Sequence, residues 1–406
     1  MRLRIKDLAT KVGSGVTPKG GASVYQDNGI PLFRSQNVTN DGFLLDDIAY
    51  ISEEIHKSMI GTRLMPNDVL LNITGASIGR CYYLPKNFKE GNVNQHVCII
   101  RPKVNVVIPA FLYYNLISAV GQQMIDVCQT GANREGLTKE NICNFEFDIP
   151  SLADQQRIVT YLDTKLSDID HQVSLLTSKR DAYLRLKKSI INHAVTRGLD
   201  PNVNMKDSGI EWIGEVPEHW EVKRMKDIVK LMKGRTPEDL TFEEISYPYL
   251  TMDYLRNRSG KEILYPQKTA GLLKIDVGEI IVLWDGANAG EFILSKEGYL
   301  GSTMAVFLCD CKIVDKNYLY YLLKSVEKHS KYFANGTTIP HFDSLAIMNH
   351  QYALPPLPEQ RAIATYLDDK CAKIDTIVSN LDKQISRYGD LKRSLIDEVI
   401  TGKRAV

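Results

Sequence analysis

The stretch LADQQRIVTYLDTKLSDID at residues 152–170 recurs as LPEQRAIATYLDDKCAKID at residues 357–375. The two copies align without a gap at a constant offset of 205 residues, and the match continues as far as Thr196 and Thr401. Chance does not produce so many identities at one offset. The repeat therefore indicates that the chain is a duplicated unit.

Both copies carry apolar residues at alternating spacings of three and four, which is typical of a coiled-coil seam. Gly198 and Gly402 mark the ends of the two predicted helices. Arg180, Lys187 and Lys392 interrupt the seam. Polar residues at such places either fix the register of a helix pair or lie with their aliphatic stems over the seam. The predicted seam residues are Ile169, Val173, Leu176, Tyr183, Ile190, Ile374, Val378, Leu381, Ile385, Tyr388 and Leu395.

The segments that precede the two helices are also related, but more weakly. NDVLLNITGASIGR (67–80) resembles GEIIVLWDGANAGE (278–291), and LYYNLIS (112–118) resembles LYYLLKS (319–325). Short β-branched runs separated by glycine and asparagine turns predict a compact sheet with helices in each half. We therefore expect an α/β (α+β) fold with two globular mixed α/β domains, separated by two long antiparallel coiled-coil helices in a pseudo-two-fold repeat.

The predicted segments follow from this repeat. A chain of 406 residues exceeds what one hydrophobic core usually supports, so more than one domain is expected. The predicted boundaries are a first globular domain at 1–150, a central helix at 151–200, a linker and second globular domain at 201–355, and a C-terminal helix at 356–406.

Composition restricts the function without identifying it. The formal net charge of +1 shows no overall basic excess, so any nucleic-acid surface must be a local patch. No apolar run reaches the length of a signal peptide core or a membrane helix, which favours a cytoplasmic protein and no membrane partner. The seven cysteines are scattered and show no pair of CxxC motifs. We therefore predict neither a disulfide framework nor a metal site, the close pair Cys309 and Cys311 included.

Motifs for catalysis are missing from the sequence. A DNA methyltransferase acting on exocyclic amines should carry an Asn/Asp-Pro-Pro-aromatic motif and a glycine-rich cofactor turn, and an ATP-driven enzyme should carry a phosphate-binding loop. The nearest string, LPPL at 354–357, lacks both the polar first residue and the aromatic last one. We expect a non-catalytic chain without a cofactor.

Two stretches resemble a known family. MKDSGIEWIGEVPEHWEVKRMKDI (205–228) and LPPLPEQRAIATYLD (354–368) are similar to signatures of the specificity subunits of Type I restriction-modification systems, and the resemblance extends over essentially the whole chain. It implies two target-recognition domains that each recognise one half of a split double-stranded DNA site, held apart by the repeat helices. It also implies two modification (methyltransferase) subunits and further restriction (translocase-nuclease) subunits as partners.

One departure from the family pattern is visible. The opening SGIEWIGEVPEHW precedes the second domain, but it has no counterpart before the first domain, which begins almost at once with RIKDL. The pseudo-symmetry of the chain is therefore incomplete at its N-terminus.

The loops that differ between the halves are the candidates for DNA contact. Arginine suits guanine and asparagine or glutamine suits adenine in direct base recognition, although asparagine and glycine also serve simply as turn residues. In the first half the candidates are Arg34, Gln36, Asn37, Thr74, Ser77, Arg80, Asn94, Gln95, His96, Asn133 and Arg134. In the second half they are Lys233, Arg235, Thr236, Asp253, Asn257, Arg258, Asn288, Thr303, Thr337 and Thr338.

Two other interpretations stay open at this point. The chain could be a two-headed protein-binding scaffold, which salt-sensitive DNA binding would argue against. It could also be a self-contained DNA methyltransferase or nuclease with an unrecognised site, which turnover by the isolated chain would favour.

Overall fold

The computed structural model describes residues 1–129, 136–210, 213–257, 262–286, 288–332 and 341–406. Contacts divide the chain into two compact units, which we call unit 1 (Met1–Thr177 with Lys383–Val406) and unit 2 (Ser178–Asp382). Each unit contains one globular domain and a part of both long helices. Within the described residues, no helix has the length and apolar character needed to cross a membrane.

The globular domain of unit 1 is a mixed α/β fold. Its strands are β1 (Arg2–Arg4), β2 (Ala9–Ser14), β3 (Ile30–Phe33), β4 (Val38–Thr39), β5 (Gly42–Phe43), β6 (Ala49–Ile51), β7 (Val69–Asn72), β8 (Cys81–Tyr83), β9 (Asn92–Val93), β10 (Val97–Pro102) and β11 (Glu146–Asp148). Its helices are α1 (Ile5–Leu8), α2 (Glu53–Ser58), α3 (Pro109–Ile117), α4 (Ala119–Gln129) and α5 (Lys139–Cys143), followed by the long α6 (Leu152–Arg197).

The globular domain of unit 2 repeats this arrangement. Its strands are β12 (Met205–Asp207), β13 (Glu215–Pro217), β14 (Glu221–Arg224), β15 (Val229–Lys233), β16 (Leu240–Thr241), β17 (Tyr249–Leu250), β18 (Tyr265–Pro266), β19 (Lys274–Ile275), β20 (Ile280–Leu283), β21 (Phe292–Leu294), β22 (Gly298–Leu300), β23 (Met304–Cys309) and β24 (Gln351–Leu354). Its helices are α7 (Met252–Leu255), α8 (Lys316–Tyr332) and α9 (Ser344–Asn349), followed by the long α10 (Leu357–Ile400).

The four-stranded sheets of the two units have the same topology. A four-stranded antiparallel sheet has the order β2-β10-β7-β8 in unit 1 and β15-β23-β20-β21 in unit 2. A three-stranded sheet has the order β6-β3-β9 in unit 1 and β17-β22-β19 in unit 2, and each contains one parallel pair, β3 with β9 and β17 with β22. The antiparallel third strand has a different neighbour in the two units: β6 pairs with β3, whereas β19 pairs with β22, the strand that corresponds to β9. The duplication read from the helices therefore extends through both globular domains.

A buried glutamine joins each globular domain to its long helix. In unit 1 the amide of Gln155 on α6 accepts from the backbone N–H of Ile108 at 2.8 Å and donates to the carbonyl of Val106 at 3.0 Å. In unit 2 the amide of Gln360 on α10 accepts from the N–H of Asp315 at 2.7 Å and donates to Ile313 at 3.1 Å. A tyrosine from each short helix adds a hydrogen bond to a helix carboxylate, Tyr114 to Asp163 and Tyr321 to Asp368.

The two long helices pack antiparallel along the predicted seam. All eleven predicted seam residues are buried or half-buried. The polar interruptions lie in the same row and form ion pairs across it: Lys187 with Asp375 at 2.7 Å, Arg180 with Asp382 at 3.4 Å, and Lys392 with Asp170 at 3.0 Å. Residues later in α6 pair with residues earlier in α10, as expected for antiparallel helices. These pairs support the register-fixing interpretation of the three basic residues.

Candidate nucleic-acid interface

The candidate loops of unit 1 converge because several strands end at one edge. Strands β3 and β9 are parallel neighbours, so the residues that follow them, Arg34 and Asn94, leave the sheet side by side. The backbone N–H of Asn94 donates to the carbonyl of Phe33 at 3.1 Å. Strand β7 ends opposite the start of β10, with Asn72 paired to Val97. The loops 34–37, 73–80 and 94–96 therefore lie together.

Side chains connect two of these loops. The hydroxyl of Thr74 lies 2.5 Å from Nδ1 of His96, and the amide of Gln95 lies 3.1 Å from Nε2 of the same ring. The backbone N–H of Ile73 donates to the carbonyl of His96 at 3.0 Å. His96 is thus hydrogen-bonded at both ring nitrogens, Nδ1 to Thr74 of the neighbouring loop and Nε2 as acceptor to Gln95 of its own loop, which orients the ring.

The candidates in unit 1 differ in accessibility. Gln36, Arg80 and Gln95 are exposed, whereas Thr74, Ser77, His96 and Arg34 are half-buried. Asn37 and Asn94 are only 1% and 7% exposed, and their amide oxygens accept from the backbone N–H groups of Arg34 and His96. These two asparagines shape the loops from inside, as turn residues do, whereas the accessible side chains lie around them.

Asp47 accepts hydrogen bonds from two candidate side chains of the loop 34–37. Nη2 of Arg34 donates to the backbone carbonyl of Asp47 at 2.8 Å and lies 3.1 Å from its carboxylate. The amide of Gln36 also donates to that carboxylate. Asp47 itself is largely exposed. Any other acceptor that bound Arg34 and Gln36 would therefore have to replace Asp47, whereas Arg80 has no such partner among the described residues.

Unit 2 forms the equivalent edge with different side chains. The parallel strands β17 and β22 end at Leu250 and Leu300, and β20 ends at Leu283 opposite Met304. The hydroxyls of Thr236 and Ser302 lie 2.7 Å apart, which joins the loop after β15 to the loop before β23.

A basic and aromatic group lies at this second edge. Nζ of Lys233 lies 4.6 Å from the ring centroid of Trp284 and 3.9 Å from the carboxylate of Asp285. Nδ1 of His341 lies 2.6 Å from Asp285. Arg235, Thr236, Asn288 and Thr303 are exposed around this group. The loops thus combine cationic donors with an aromatic face, a combination that suits nucleic-acid contact.

The remaining candidates of unit 2 lie along α7. Asp253 is half-buried within α7. Asn257 follows that helix with a φ of 50°, and its amide oxygen accepts from Nζ of Lys296 at 2.5 Å. Five candidates lie outside the described residues, namely Asn133, Arg134, Arg258, Thr337 and Thr338.

Two glycines shape both edges and were missing from the sequence candidates. A Cβ on Gly15 would lie 2.0 Å from the carbonyl oxygen of Val93, and one on Gly234 would lie 2.3 Å from that of Leu300. Only glycine lets β2 and β15 approach the neighbouring loop this closely. A signal was available, because each glycine opens a Gly-x-Thr-Pro string, GVTP at 15–18 and GRTP at 234–237.

No cluster of three metal-ligating side chains occurs in the part of the chain that the structure describes. Burial raises the pKa of the Cys309 thiol to about 11, and the neighbouring Cys311 adds to that rise.

Comparison with known families agrees with this architecture. The family model described as "Type I restriction modification DNA specificity domain" matches residues 1–175 and 217–387. One match falls on each half of the repeat. Together they cover most of the chain.

Individual relatives are also similar. The Type I restriction enzyme MjaVIII specificity subunit of Methanocaldococcus jannaschii is 38% identical over 188 residues, which cover 46% of this chain and 43% of that protein. The StySPI specificity subunit of Salmonella potsdam is 21% identical over 406 residues, covering 96% of this chain and 86% of that protein.

Solved structures share the fold. A chain from a structure described as "Structural basis underlying complex assembly and conformational transition of the type I R-M system" aligns with a TM-score of 0.74 at 15% identity, covering 98% of this chain and 97% of the other. The HsdS subunit from Thermoanaerobacter tengcongensis aligns with a TM-score of 0.50 at 15% identity, covering 100% and 97%.

Proposed function

This chain belongs to the Type I restriction-modification DNA specificity family, and from that premise we propose that it recognises a bipartite double-stranded DNA site, one half with each unit. The chain itself is non-catalytic in this proposal and acts in the cytoplasm. It directs two modification (methyltransferase) subunits to the site, and restriction (translocase-nuclease) subunits join the larger complex.

One observation carries the proposal. The accessible polar candidates of each half meet at one edge of that half's own sheet: Arg80 and Gln95 in unit 1, and Arg235, Asn288 and Thr303 in unit 2. Loops on a rigid sheet can hold several donors in fixed register against base edges. Because the two edges carry different side chains on the same framework, two different half-sites are expected.

The long helices supply the second element of the proposal. α6 has 46 residues and α10 has 44 residues. At about 1.5 Å per residue each helix is roughly 65 to 70 Å long, comparable to two turns of B-DNA. Helices of this length, with their register fixed within each unit by the ion pairs across the seam, suit a protein whose two recognition domains contact separate half-sites.

Methylation mapping by long-read sequencing tests the proposal. Cells would express a Type I modification subunit alone, with the wild-type chain, or with the double variants Arg80→Ala/Gln95→Ala and Arg235→Ala/Asn288→Ala. The expected result is methylation at one split motif only when the chain is present. Each double variant should relax a different half of that motif.

Lys57→Ala is the matched control, because Lys57 is an exposed basic residue of unit 1 whose partner is Glu53 on the same helix α2. This variant should leave both halves of the motif unchanged. Methylation that is indifferent to the chain would overturn the proposal and favour the protein-binding scaffold.

A further inference from the structure

Asn72 connects two loops of the unit 1 edge. It is the last residue of β7, and its side chain is completely buried. Nδ2 donates to the carbonyl of Ser35 at 2.7 Å and to that of Val38 at 3.2 Å. The backbone of Asn72 meanwhile donates to the carbonyl of Arg80 at 2.8 Å and accepts from the N–H of Gly79 at 3.0 Å. One residue therefore holds the loop after β3 and the loop after β7.

The equivalent residue of unit 2 is Leu283. It ends β20, donates to the carbonyl of Glu291 at 3.0 Å and accepts from Gly290 at 2.8 Å, as Asn72 does with its own loop. Its side chain, however, belongs to an apolar cluster against which Met252 and Leu255 of α7 pack. The same framework therefore accepts leucine at this place.

Stability does not explain the buried amide in unit 1. Its oxygen Oδ1 has no hydrogen-bond partner among the described residues, and a buried carbonyl without a partner is destabilising. Direct base contact does not explain it either, because the side chain is inaccessible. What the amide does, and leucine cannot do, is donate simultaneously to two carbonyls of the neighbouring loop.

We propose that Asn72 is a positioning residue for DNA recognition by unit 1, tethering the loop 34–39 to the loop 73–80. The tether holds Arg34 and Gln36 of the first loop in one arrangement relative to Arg80 of the second. Preorganised donors lose less entropy on binding and discriminate better between correct and incorrect bases. This inference rests on the proposed function, because it names the residue that prepares one of its two recognition surfaces.

The test compares three variants of the chain in complex with a Type I modification subunit. N72L installs the residue that unit 2 carries, and N72D keeps the shape of the side chain but replaces the donor by a carboxylate that repels both carbonyls. N115L is the matched control: Asn115 in α3 is 4% exposed and donates to the carbonyl of Phe111 at 2.9 Å, within its own helix. It removes a buried amide without touching either loop.

The first readout is methylation of DNA with a single mismatch in one half-site or the other. For N72L and N72D we expect the preference for the correct first half-site to fall by about tenfold, with the second half-site unaffected. N115L should leave both preferences unchanged. Equal effects of N72L and N115L, or equal effects on both half-sites, would reduce Asn72 to a structural residue and overturn the inference.

Hydrogen exchange on the DNA-free complex is the second readout and is independent of recognition. N72L should raise exchange in both loops 34–39 and 73–80, while N115L should not. Unchanged exchange overturns the tether even if methylation follows a bipartite motif. A wild-type chain that directs no bipartite methylation would overturn the proposed function instead, and with it the recognition role of Asn72.

Discussion

Units 1 and 2 share their framework and differ at their edges. Gln155 and Gln360 dock the globular domains in the same way, and Lys392 and Lys187 pair with equivalent carboxylates across the seam. These residues recur at one offset in the sequence. At the edges, by contrast, unit 1 uses the buried amide of Asn72 where unit 2 uses an apolar cluster. Contacts that hold the fold are thus duplicated, while the loops on that fold have diverged.

The second difference between the units is a hairpin. Strands β12 and β13 pair antiparallel in unit 2, and the following Trp220 is buried with Nε1 donating to Glu359 at 3.1 Å. His219 lies 2.7 Å from the same carboxylate. His219 and Trp220 thereby lie against the start of α10.

The largest expected effect is that of removing Trp220, which follows this hairpin. Trp220→Ala removes a buried indole from the unit 2 core and should lower the free energy of opening of unit 2 by about 4 kcal/mol, leaving unit 1 unaffected. Hydrogen exchange resolved by peptide measures both units in one experiment. Phe242→Ala, which removes an aromatic side chain that is 63% exposed, is the control and should change little. Equal loss of protection in unit 1 would contradict the expectation that Trp220 stabilises unit 2 alone.

The next largest effect tests whether Gly15 and Gly234 allow the same close backbone contact in the two units. Gly15→Ala and Gly234→Ala each place a Cβ against a carbonyl, and we expect each to destabilise its own unit by about 3 kcal/mol. Thermal unfolding and local exchange measure the loss. Gly13→Ala is the control, because no atom lies within 4 Å of its added Cβ. An effect of Gly15→Ala no larger than that of Gly13→Ala would contradict the equivalence.

A smaller effect tests whether Gln155 and Gln360 make equivalent contacts between each globular domain and its long helix. Gln155→Ala and Gln360→Ala leave buried backbone groups without partners, and we expect about 2 kcal/mol of destabilisation in each unit. The two values should agree, since the hydrogen bonds are equivalent. Gln156→Ala, which alters an exposed neighbour on α6, should be nearly neutral when measured by the same exchange experiment. Clearly unequal losses of stability would show that the two glutamines do not stabilise their units equally.

The smallest effect distinguishes the seam lysines. Burial lowers the pKa of Lys392, but hydrogen bonds to Asp41 and Asp170 outweigh it and raise the pKa above its ordinary value. Lys187 pairs only with Asp375 among the described residues. Lys392→Met should therefore destabilise by about 1 kcal/mol or less, and more than Lys187→Met does.

Exchange in the hairpin β4–β5, which carries Asp41, is the diagnostic measurement for Lys392→Met. Arg393→Met is the control, since Arg393 pairs with Asp390 on its own helix. A larger effect for Lys187→Met would reverse the expected order and argue against the contribution of Asp41.

The sequence by itself determined the duplication, the long helices with their seam, the mixed α/β class and the family. Each of these depends on periodicity or identity along the chain, and both can be recognised in the sequence without a structure. The loops that carry candidates were also predictable, because variable glycine-bearing turns between β-branched runs indicate surface loops.

Only the tertiary structure decided which loop residues are accessible. Asn37 and Asn94 have the same chemistry as exposed candidates such as Gln36, yet they are buried, because burial depends on contacts between segments far apart in sequence. The pairing of Asp47 with Arg34 and the tether from Asn72 have the same origin. A hydrogen bond between segments that lie together in space but apart in the chain leaves no periodic trace in either segment, so it had to be found in three dimensions.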